Sequence, residues 1–179
     1  RTKEVALQGT FLTQIFTTVL GFSSPIGNSL WNLQQEQTTH MDSTTADGSL
    51  GFFTPDIEDV RTVIELKDAQ TSLDKKKNRE GNQTPIEQAF SYQIRMRSCK
   101  WIIVSNFKEI RLYNSSTMME YEVFAMEEMS NDINEFKRFI YLFRKEFMLK
   151  RDGNSGLDLL YKNNEIEETK ITNEFYEKY

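Results

Sequence analysis

The chain has 179 residues, 38% of them hydrophobic and 12% aromatic, and a formal net charge of −5. This length and aromatic content exclude a disordered chain and predict one folded domain with a substantial core. No apolar run approaches the roughly 20 residues that span a bilayer, and a single cysteine excludes an internal disulfide, so we expect a cytoplasmic protein that does not use a membrane.

The first predicted element is a helix over 4–20. Leu12, Ile15, Phe16 and Val19 recur in it at helical spacing, and Gly21 ends the pattern. Apolar runs bounded by turn residues then predict strands at 31–37, 47–53, 60–67, 101–105, 109–113 and 121–126. The polar loop before the second strand contains the only histidine, His40, which is predicted to be solvated and not a ligand.

A second helix is predicted over 85–98, because Thr84 and Glu87 form a capping box around a proline at the first helical position. It would join strands 60–67 and 101–105 as a right-handed βαβ unit. A third helix is predicted over 131–149, with a core stripe formed by Ile133, Phe136, Ile140, Phe143 and Phe147. We therefore expect an α/β domain over 1–149, followed over 150–179 by a linker and the start of a helical connector.

The clearest chemical signal is Glu65-Leu66-Lys67 at the end of an apolar run, downstream of Asp47. Carboxylates are the hard oxygen ligands that Mg²⁺ prefers, and Lys67 shares a side of the strand with Glu65 because side chains alternate. If the apolar runs on either side of Asp56 form a hairpin, Asp47 and Glu65 each lie nine residues from its tip and come side by side. The pattern predicts a magnesium-dependent phosphodiesterase site, with Asp56 as a turn residue.

Other polar residues are candidates for the same site. Glu4 and Gln8 share a helical stripe and either cap the core or point into a site. Three residues of the second helix share one face by their spacing: Gln88, Tyr92 and Arg95. The basic loop that follows Lys67 is either solvated and flexible or a flap that contacts phosphates. With Arg95, its candidate DNA contacts are Lys75, Lys76, Lys77 and Arg79.

Five blocks in this order resemble the N-terminal nuclease region of type IIG restriction–modification enzymes. They are the segments 46–51, 63–67, 88–92, 101–107 and 109–113. The resemblance runs from about residue 4 to residue 149, and the remaining tail is similar to the connector of those enzymes. Such enzymes join an endonuclease domain, a helical connector, an adenine methyltransferase and a target-recognition part in one chain.

The resemblance implies a restriction-endonuclease-like fold, PD-(D/E)XK, in which a central mixed β-sheet is flanked by helices. It implies that Asp47 and Glu65 ligate Mg²⁺ and that Lys67 assists the attacking water. Gln88 and Tyr92 match a Gln-x3-Tyr element beside the site, and Glu4, or Gln8 in its place, matches an acid of the first helix that completes some metal sites. Ala46 stands where the motif has proline, which lowers its specificity.

The expected function is magnesium-dependent cleavage of double-stranded DNA, with methyltransferase and target-recognition domains in the same full-length protein. Three alternatives remain open. The first is the nuclease domain of a type I restriction motor subunit, and the second is a degenerate DNA-binding or docking module of the same fold. The third is a structural α/β domain in which Glu65 and Lys67 form a surface ion pair. Because the net charge is negative, most DNA affinity is expected to come from other domains. The fragment alone is therefore expected to bind DNA weakly and to be inactive or nearly so.

Overall fold

The computed structural model describes residues 2–38, 44–76, 83–116 and 119–178. Within these residues a mixed sheet of six strands forms the centre of an α/β domain. The strands are β1 (Trp31–Thr38), β2 (Thr45–Thr54), β3 (Ile57–Leu66), β4 (Trp101–Ser105), β5 (Glu109–Asn114) and β6 (Glu120–Ala125). Each predicted strand is confirmed, although β2 and β3 are longer at the hairpin end than predicted.

The strands lie across the sheet in chain order. Neighbouring strands pair antiparallel except β3 and β4, which pair in parallel, with Glu65 opposite Val104. A parallel pair needs a crossover connection, and helix α2 (Pro85–Gln93) supplies it. The βαβ unit is therefore confirmed, and it places β3 in the interior of the sheet.

The two faces of the sheet are covered by different helices. Ile64 and Leu66 face the cluster formed by α4 (Ile133–Phe143), the start of α6 (Gly156–Lys178) and a π-helical segment (Leu12–Val19) that continues α1 (Thr2–Phe11). Val63 faces the opposite cluster, which contains Ala89 and Phe90 of α2. Because side chains alternate along a strand, Glu65 lies on the α2 side of β3.

A bulge in the β2–β3 hairpin sets the register near its open end. Leu50 pairs with Thr62, but Gly51 pairs with Val60, so Arg61 is the extra residue. Such a bulge bends the bulged strand and increases the local twist. Gly51 is required here because a Cβ at this position would overlap the carbonyl oxygen of Asp59.

Three helix predictions need correction. The helix predicted over 4–20 is α-helical only to Phe11 and π-helical from Leu12 to Val19. The helix predicted over 85–98 ends at Gln93. The helix predicted over 131–149 is divided into α4 and α5 (Lys145–Met148), and a separate short helix, α3 (Met126–Asn131), precedes them.

The breaks have a local cause. Asp132 is extended, and its side chain accepts a hydrogen bond from the backbone N–H of Asn134, so a new helix starts there. The predicted core stripe is also partly wrong, since Ile133 is 61% exposed and Phe136 is 40% exposed. The buried face of α4 is formed by Phe139, Leu142 and Phe143.

Helix α6 occupies most of the segment 150–179, for which a linker and the start of a helical connector are predicted. Its first turns pack on the sheet through Leu157 and through Tyr161, whose ring packs edge-on against the ring of Trp101. Trp101 Nε1 also donates a hydrogen bond to Asp158 Oδ1 at 2.9 Å. None of the helices in the described ranges is long and apolar enough to cross a membrane.

Candidate active site at the end of strand β3

Glu65 and Lys67 lie where β3 leaves the sheet. Glu65 is 2% exposed, because β2 and β4 flank β3 and α2 covers this face. Lys67 is the first residue after the strand, and its side chain is 17% exposed. Lys67 Nζ donates a hydrogen bond to Glu65 Oε1. The two side chains therefore share one side of the strand, as the alternation of side chains predicts.

Asp47 reaches the same place from the neighbouring strand. Gly48 pairs with Ile64, so the next position along this register brings Asp47 beside Glu65, and the predicted hairpin register is confirmed. Asp47 Oδ2 accepts a hydrogen bond of 2.6 Å from the backbone N–H of Leu66. The structure thus brings Asp47, Glu65 and Lys67 together, while Asp56 lies in the turn at the far end of the hairpin.

Burial and neighbouring charges shift the pKa values of both Glu65 and Lys67. Burial, and then the neighbouring Asp47 carboxylate, raise the pKa of Glu65 to about 8, and Lys67 offsets only part of this shift. Burial opposes the charge of Lys67 as well, but the two carboxylates outweigh it and raise the pKa of Lys67 above its ordinary value. Glu65 Oε2 is buried without a hydrogen-bond partner among the described residues. A buried carboxylate oxygen in that position is costly unless it gains a proton or a cation.

Helix α2 places two of the predicted residues against this cluster. Gln88 Nε2 donates a hydrogen bond of 2.6 Å to the hydroxyl oxygen of Tyr92. Tyr92 is 5% exposed, and burial, followed by the charge of Glu65, raises the pKa of its hydroxyl. The capping box at Thr84 and Glu87, predicted from the sequence, is confirmed and fixes the start of this helix.

Helix α1 contributes Gln8, whose Nε2 donates a hydrogen bond of 3.1 Å to the carbonyl oxygen of Leu66. The backbone N–H of Leu66 donates to Asp47. Side chains therefore bind both polar backbone groups of Leu66, the residue between Glu65 and Lys67. A cavity of about 330 Å³ borders Gln8 and Asp47. Glu4 lies one turn earlier on α1, but its side chain falls outside the described structure.

The segment that follows Lys67 is fastened to the sheet. Asn106 Nδ2 donates a hydrogen bond of 2.9 Å to the carbonyl oxygen of Thr71, and both residues are buried. Arg111 on β5 binds both carboxylate oxygens of Asp74, at 2.7 and 2.9 Å. This hydrogen bonding holds the pKa of Asp74 below its usual value. We call these two contacts, Asn106–Thr71 and Arg111–Asp74, the loop anchor.

The predicted DNA contacts lie mostly beyond this anchor. Lys75 and Lys76 follow Asp74 directly and are exposed, whereas Lys77 and Arg79 lie outside the described residues, as does His40. Arg95 lies in the turn after α2, and its guanidinium donates to the carbonyl oxygen of Ser91. It therefore does not continue the helical face of Gln88 and Tyr92, and its role in DNA binding stays a prediction.

Sequence reasoning missed the loop anchor. Asn106 follows a buried strand, as turn-forming residues do, and this was the one available signal. Nothing in the sequence links Asp74 to Arg111, 37 positions later. The metal site also stays a prediction, because no group of three or more His, Cys, Asp or Glu side chains that could hold a metal ion occurs in the part of the chain described.

Comparison with known proteins identifies the family. Residues 2–152 match the family model described as "MmeI, N-terminal domain". No curated protein and no solved structure matches the chain. The match covers the whole sheet and every helix before α6. The chain therefore belongs to the MmeI N-terminal domain family, which is named after a type IIG restriction enzyme.

Proposed function

We propose that this domain is the DNA endonuclease of a type IIG restriction enzyme and that it hydrolyses phosphodiester bonds with Mg²⁺. One observation carries the proposal: Asp47, Glu65 and Lys67 meet at the end of β3, where Glu65 Oε2 is buried without a partner among the described residues. Membership of the MmeI N-terminal domain family supports the restriction-enzyme context over a type I motor subunit.

The architecture supports a PD-(D/E)XK core. An antiparallel hairpin, β2–β3, carries Asp47 on one strand and the Glu-x-Lys residues at the end of the other. A helical crossover then leads to β4, parallel to β3. In mixed α/β sheets, binding sites form beyond the carboxyl ends of such strands, and Lys67 stands at that end.

The side chains present fit a divalent cation. Asp47 and Glu65 would hold it, because Mg²⁺ is bound by one or two carboxylates together with substrate oxygens and water. A cation would stabilise Glu65 Oε2, which has no hydrogen-bond partner in the described part of the chain, and the neighbouring Asp47 carboxylate. When bound, Mg²⁺ polarises a phosphate oxygen and lowers the pKa of a water molecule.

Lys67 contributes charge and not base catalysis. Its pKa is raised by Glu65 and Asp47 despite burial, so its ammonium group keeps its proton at neutral pH. A protonated lysine cannot remove a proton from water, but it can orient that water and stabilise charge on the phosphate oxygens. The hydrogen bond from Lys67 Nζ to Glu65 Oε1 holds the ammonium group beside the carboxylates.

Gln8, Gln88 and Tyr92 are proposed to position the reacting groups. Gln8 holds the carbonyl of Leu66 and thereby limits rotation of the Glu65–Lys67 backbone. Gln88 orients the hydroxyl of Tyr92 beside the carboxylates. A site held by such neighbours keeps its geometry when substrate binds. This fixed orientation supplies a large part of the rate enhancement of an enzyme.

DNA affinity is proposed to come largely from other domains of the full-length protein, a methyltransferase and a target-recognition domain. The chain carries a net charge of −5, and phosphate contacts come from Lys and Arg. Within this domain, the proposed contacts are the basic residues near the site: Lys75, Lys76, Lys77, Arg79 and Arg95.

The test uses the full-length enzyme with Glu65→Ala and, as a matched control, Glu127→Ala at an exposed position of α3. Cleavage of plasmid DNA is measured in Mg²⁺ and in EDTA, and methylation of the same plasmid reports folding. We expect cleavage that needs Mg²⁺, is lost in Glu65→Ala and is retained in Glu127→Ala. Cleavage in EDTA, or by Glu65→Ala, would refute the proposal, and methylation without any cleavage by the parent enzyme in Mg²⁺ would favour a docking module.

A further inference from the structure

The turn between β4 and β5 contains a strained residue. Phe107 has a φ of 64°, so its backbone lies in the left-handed region, which a bulky side chain rarely adopts. Strain of this kind persists only where the surrounding structure holds it, and it is concentrated at functional sites. The contacts of Phe107 are therefore a guide to its role.

The hydrogen bonds of the turn do not need the phenylalanine side chain. Asn106 Oδ1 accepts from the backbone N–H groups of Lys108 and Glu109, at 3.1 and 3.2 Å. The backbone N–H of Phe107 donates to Ser105 Oγ at 3.2 Å. Asparagine or glycine at position 107 would keep these bonds and would adopt the positive φ at lower cost. The turn alone therefore does not explain a phenylalanine at this position.

The ring of Phe107 packs on helix α1. Its centroid lies 5.0 Å from that of the Phe11 ring, and the ring planes are inclined by 77°. This is the edge-on arrangement that aromatic pairs favour. Phe11 lies three residues after Gln8 on α1, so their side chains are neighbours on one face of the helix. Phe107 thus contacts the helix face that carries Gln8.

This ring contact closes a circuit of contacts around the end of β3. Gln8 Nε2 donates to the carbonyl oxygen of Leu66 at 3.1 Å. The backbone N–H of Lys67 donates to the carbonyl oxygen of Ser105 at 2.8 Å, and Ser105 is also the residue that binds the N–H of Phe107. The end of β3 is therefore held by α1 and by the β4–β5 turn, and the ring of Phe107 joins these two supports.

We infer that Phe107 is a positioning residue of the proposed active site. Its ring holds α1 against the end of β3, so that Gln8 keeps the backbone between Glu65 and Lys67 in place. This role rests on the proposed nuclease function. A displacement of about 1 Å at a reacting group can slow a reaction about a hundredfold. A residue that acts through α1 can therefore affect the rate without touching the substrate.

The experiment measures single-turnover cleavage of plasmid DNA in Mg²⁺ by the full-length enzyme. Phe107→Asn removes the ring and fits the positive φ, whereas Phe107→Tyr keeps the ring. We expect Phe107→Asn to lower the maximal rate about tenfold or more with an unchanged half-saturating concentration, and Phe107→Tyr to cleave as the parent does. Phe136→Ala removes a 40% exposed ring from α4 and is the matched control, which should also cleave normally. Methylation of the same plasmid shows that each variant is folded.

Coupling to Gln8 separates positioning from a general loss of packing. Gln8→Ala is expected to slow cleavage by itself. If the ring acts through Gln8, adding Phe107→Asn to Gln8→Ala should slow cleavage by less than about twofold further. Two residues that acted independently would instead give losses that multiply.

A second measurement does not need cleavage. Amide hydrogen exchange of the full-length enzyme is followed by mass spectrometry over residues 64–67, where the N–H groups of Leu66 and Lys67 are hydrogen-bonded. We expect faster exchange there in Phe107→Asn and unchanged exchange over α4, because the loosening is local. Phe136→Ala should leave the exchange over 64–67 unchanged.

Three results of the cleavage assay would each overturn the inference. They are a parental rate for Phe107→Asn, losses that multiply with Gln8→Ala, and a rate for Phe107→Tyr as low as that of Phe107→Asn. If the parent enzyme does not cleave DNA at all, the nuclease proposal fails, and hydrogen exchange decides the role of Phe107. Unchanged exchange over 64–67 would then overturn the inference, and faster exchange would support it.

Discussion

Glu65→Gln is predicted to stabilise the metal-free domain at neutral pH. Glutamine has nearly the shape of the protonated acid and keeps an oxygen that can accept the hydrogen bond from Lys67. It removes a buried group whose charge the site opposes, since burial and Asp47 raise the pKa of Glu65 to about 8. At neutral pH the parent must therefore take up a proton on Glu65 when it folds, which lowers its stability, whereas the variant does not.

The size of the effect follows from the pKa. Between pH 4.5 and about 8 the folded state holds a proton on Glu65 that the unfolded chain releases. Stability of the parent is therefore greatest below pH 4.5 and falls as pH rises toward 8. Each pKa unit is worth about 1.4 kcal/mol, so 2.5 units above 4.5, at pH 7, the loss is about 3 kcal/mol. Glutamine does not titrate, so the variant avoids this loss.

The assay is urea unfolding of parent and variant at pH 5, 6, 7 and 8 in EDTA. We expect similar free energies of unfolding at pH 5 and a gap that widens to about 3 kcal/mol at pH 7. Glu127→Gln, at an exposed position, should follow the parent at every pH. Parallel curves for parent and Glu65→Gln would refute the reasoning. Mg²⁺ added at pH 8 should stabilise the parent and not the variant, because a metal that binds only the folded site adds to its stability.

Three further predictions concern Lys67, Gly51 and the loop anchor. Lys67→Ala in the full-length enzyme should lower cleavage about a hundredfold or more while sparing DNA binding and methylation; near-normal cleavage would contradict its role. Gly51→Ala should destabilise the domain by about 2 kcal/mol or more in urea, because its Cβ overlaps the β3 backbone, whereas Gly9→Ala, whose Cβ has room, should not. Arg111→Lys should lose the two-pronged contact with Asp74 and speed tryptic cleavage of the following loop, with little change in unfolding free energy; unchanged proteolysis would refute the anchor.

The predicted pairing of Asp47 with Glu65 is correct because two errors in the predicted β2–β3 hairpin cancel. Placing the tip at residue 56 predicts Asp47 opposite Glu65. The turn is centred half a residue earlier, since Thr54 pairs with Ile57. Continued without interruption, that pairing would put Asp47 opposite Ile64. The bulge at Arg61 restores the offset. Gly51 inside a strand is a signal that a bulge can occur nearby, but it does not say on which strand or at which residue.

The helices show where periodicity is insufficient. The pattern over 131–149 predicts one helix, because it records which residues are apolar and not where the backbone turns. Asp132 caps a new helix, and Arg144 is extended before α5. Within α4 the buried residues are Phe139, Leu142 and Phe143, and Ile133 at its start is exposed. Local capping by Asp competes with helix continuation, and tertiary packing decides between them.

The parallel pairing of β3 and β4 has a consequence for the order of assembly. The β2–β3 hairpin closes through neighbours in sequence, whereas Thr62 pairs with Trp101, 39 positions later (101 − 62 = 39). Closing that loop costs about 3 kcal/mol of chain entropy, so the hairpin can form first, with Asp47 and Glu65 still in water. Water screens their repulsion. The raised pKa of Glu65 therefore arises only when β4 and α2 dock. In a partly folded chain that contains the hairpin alone, both carboxylates would be in water and Glu65 would titrate at its ordinary pKa.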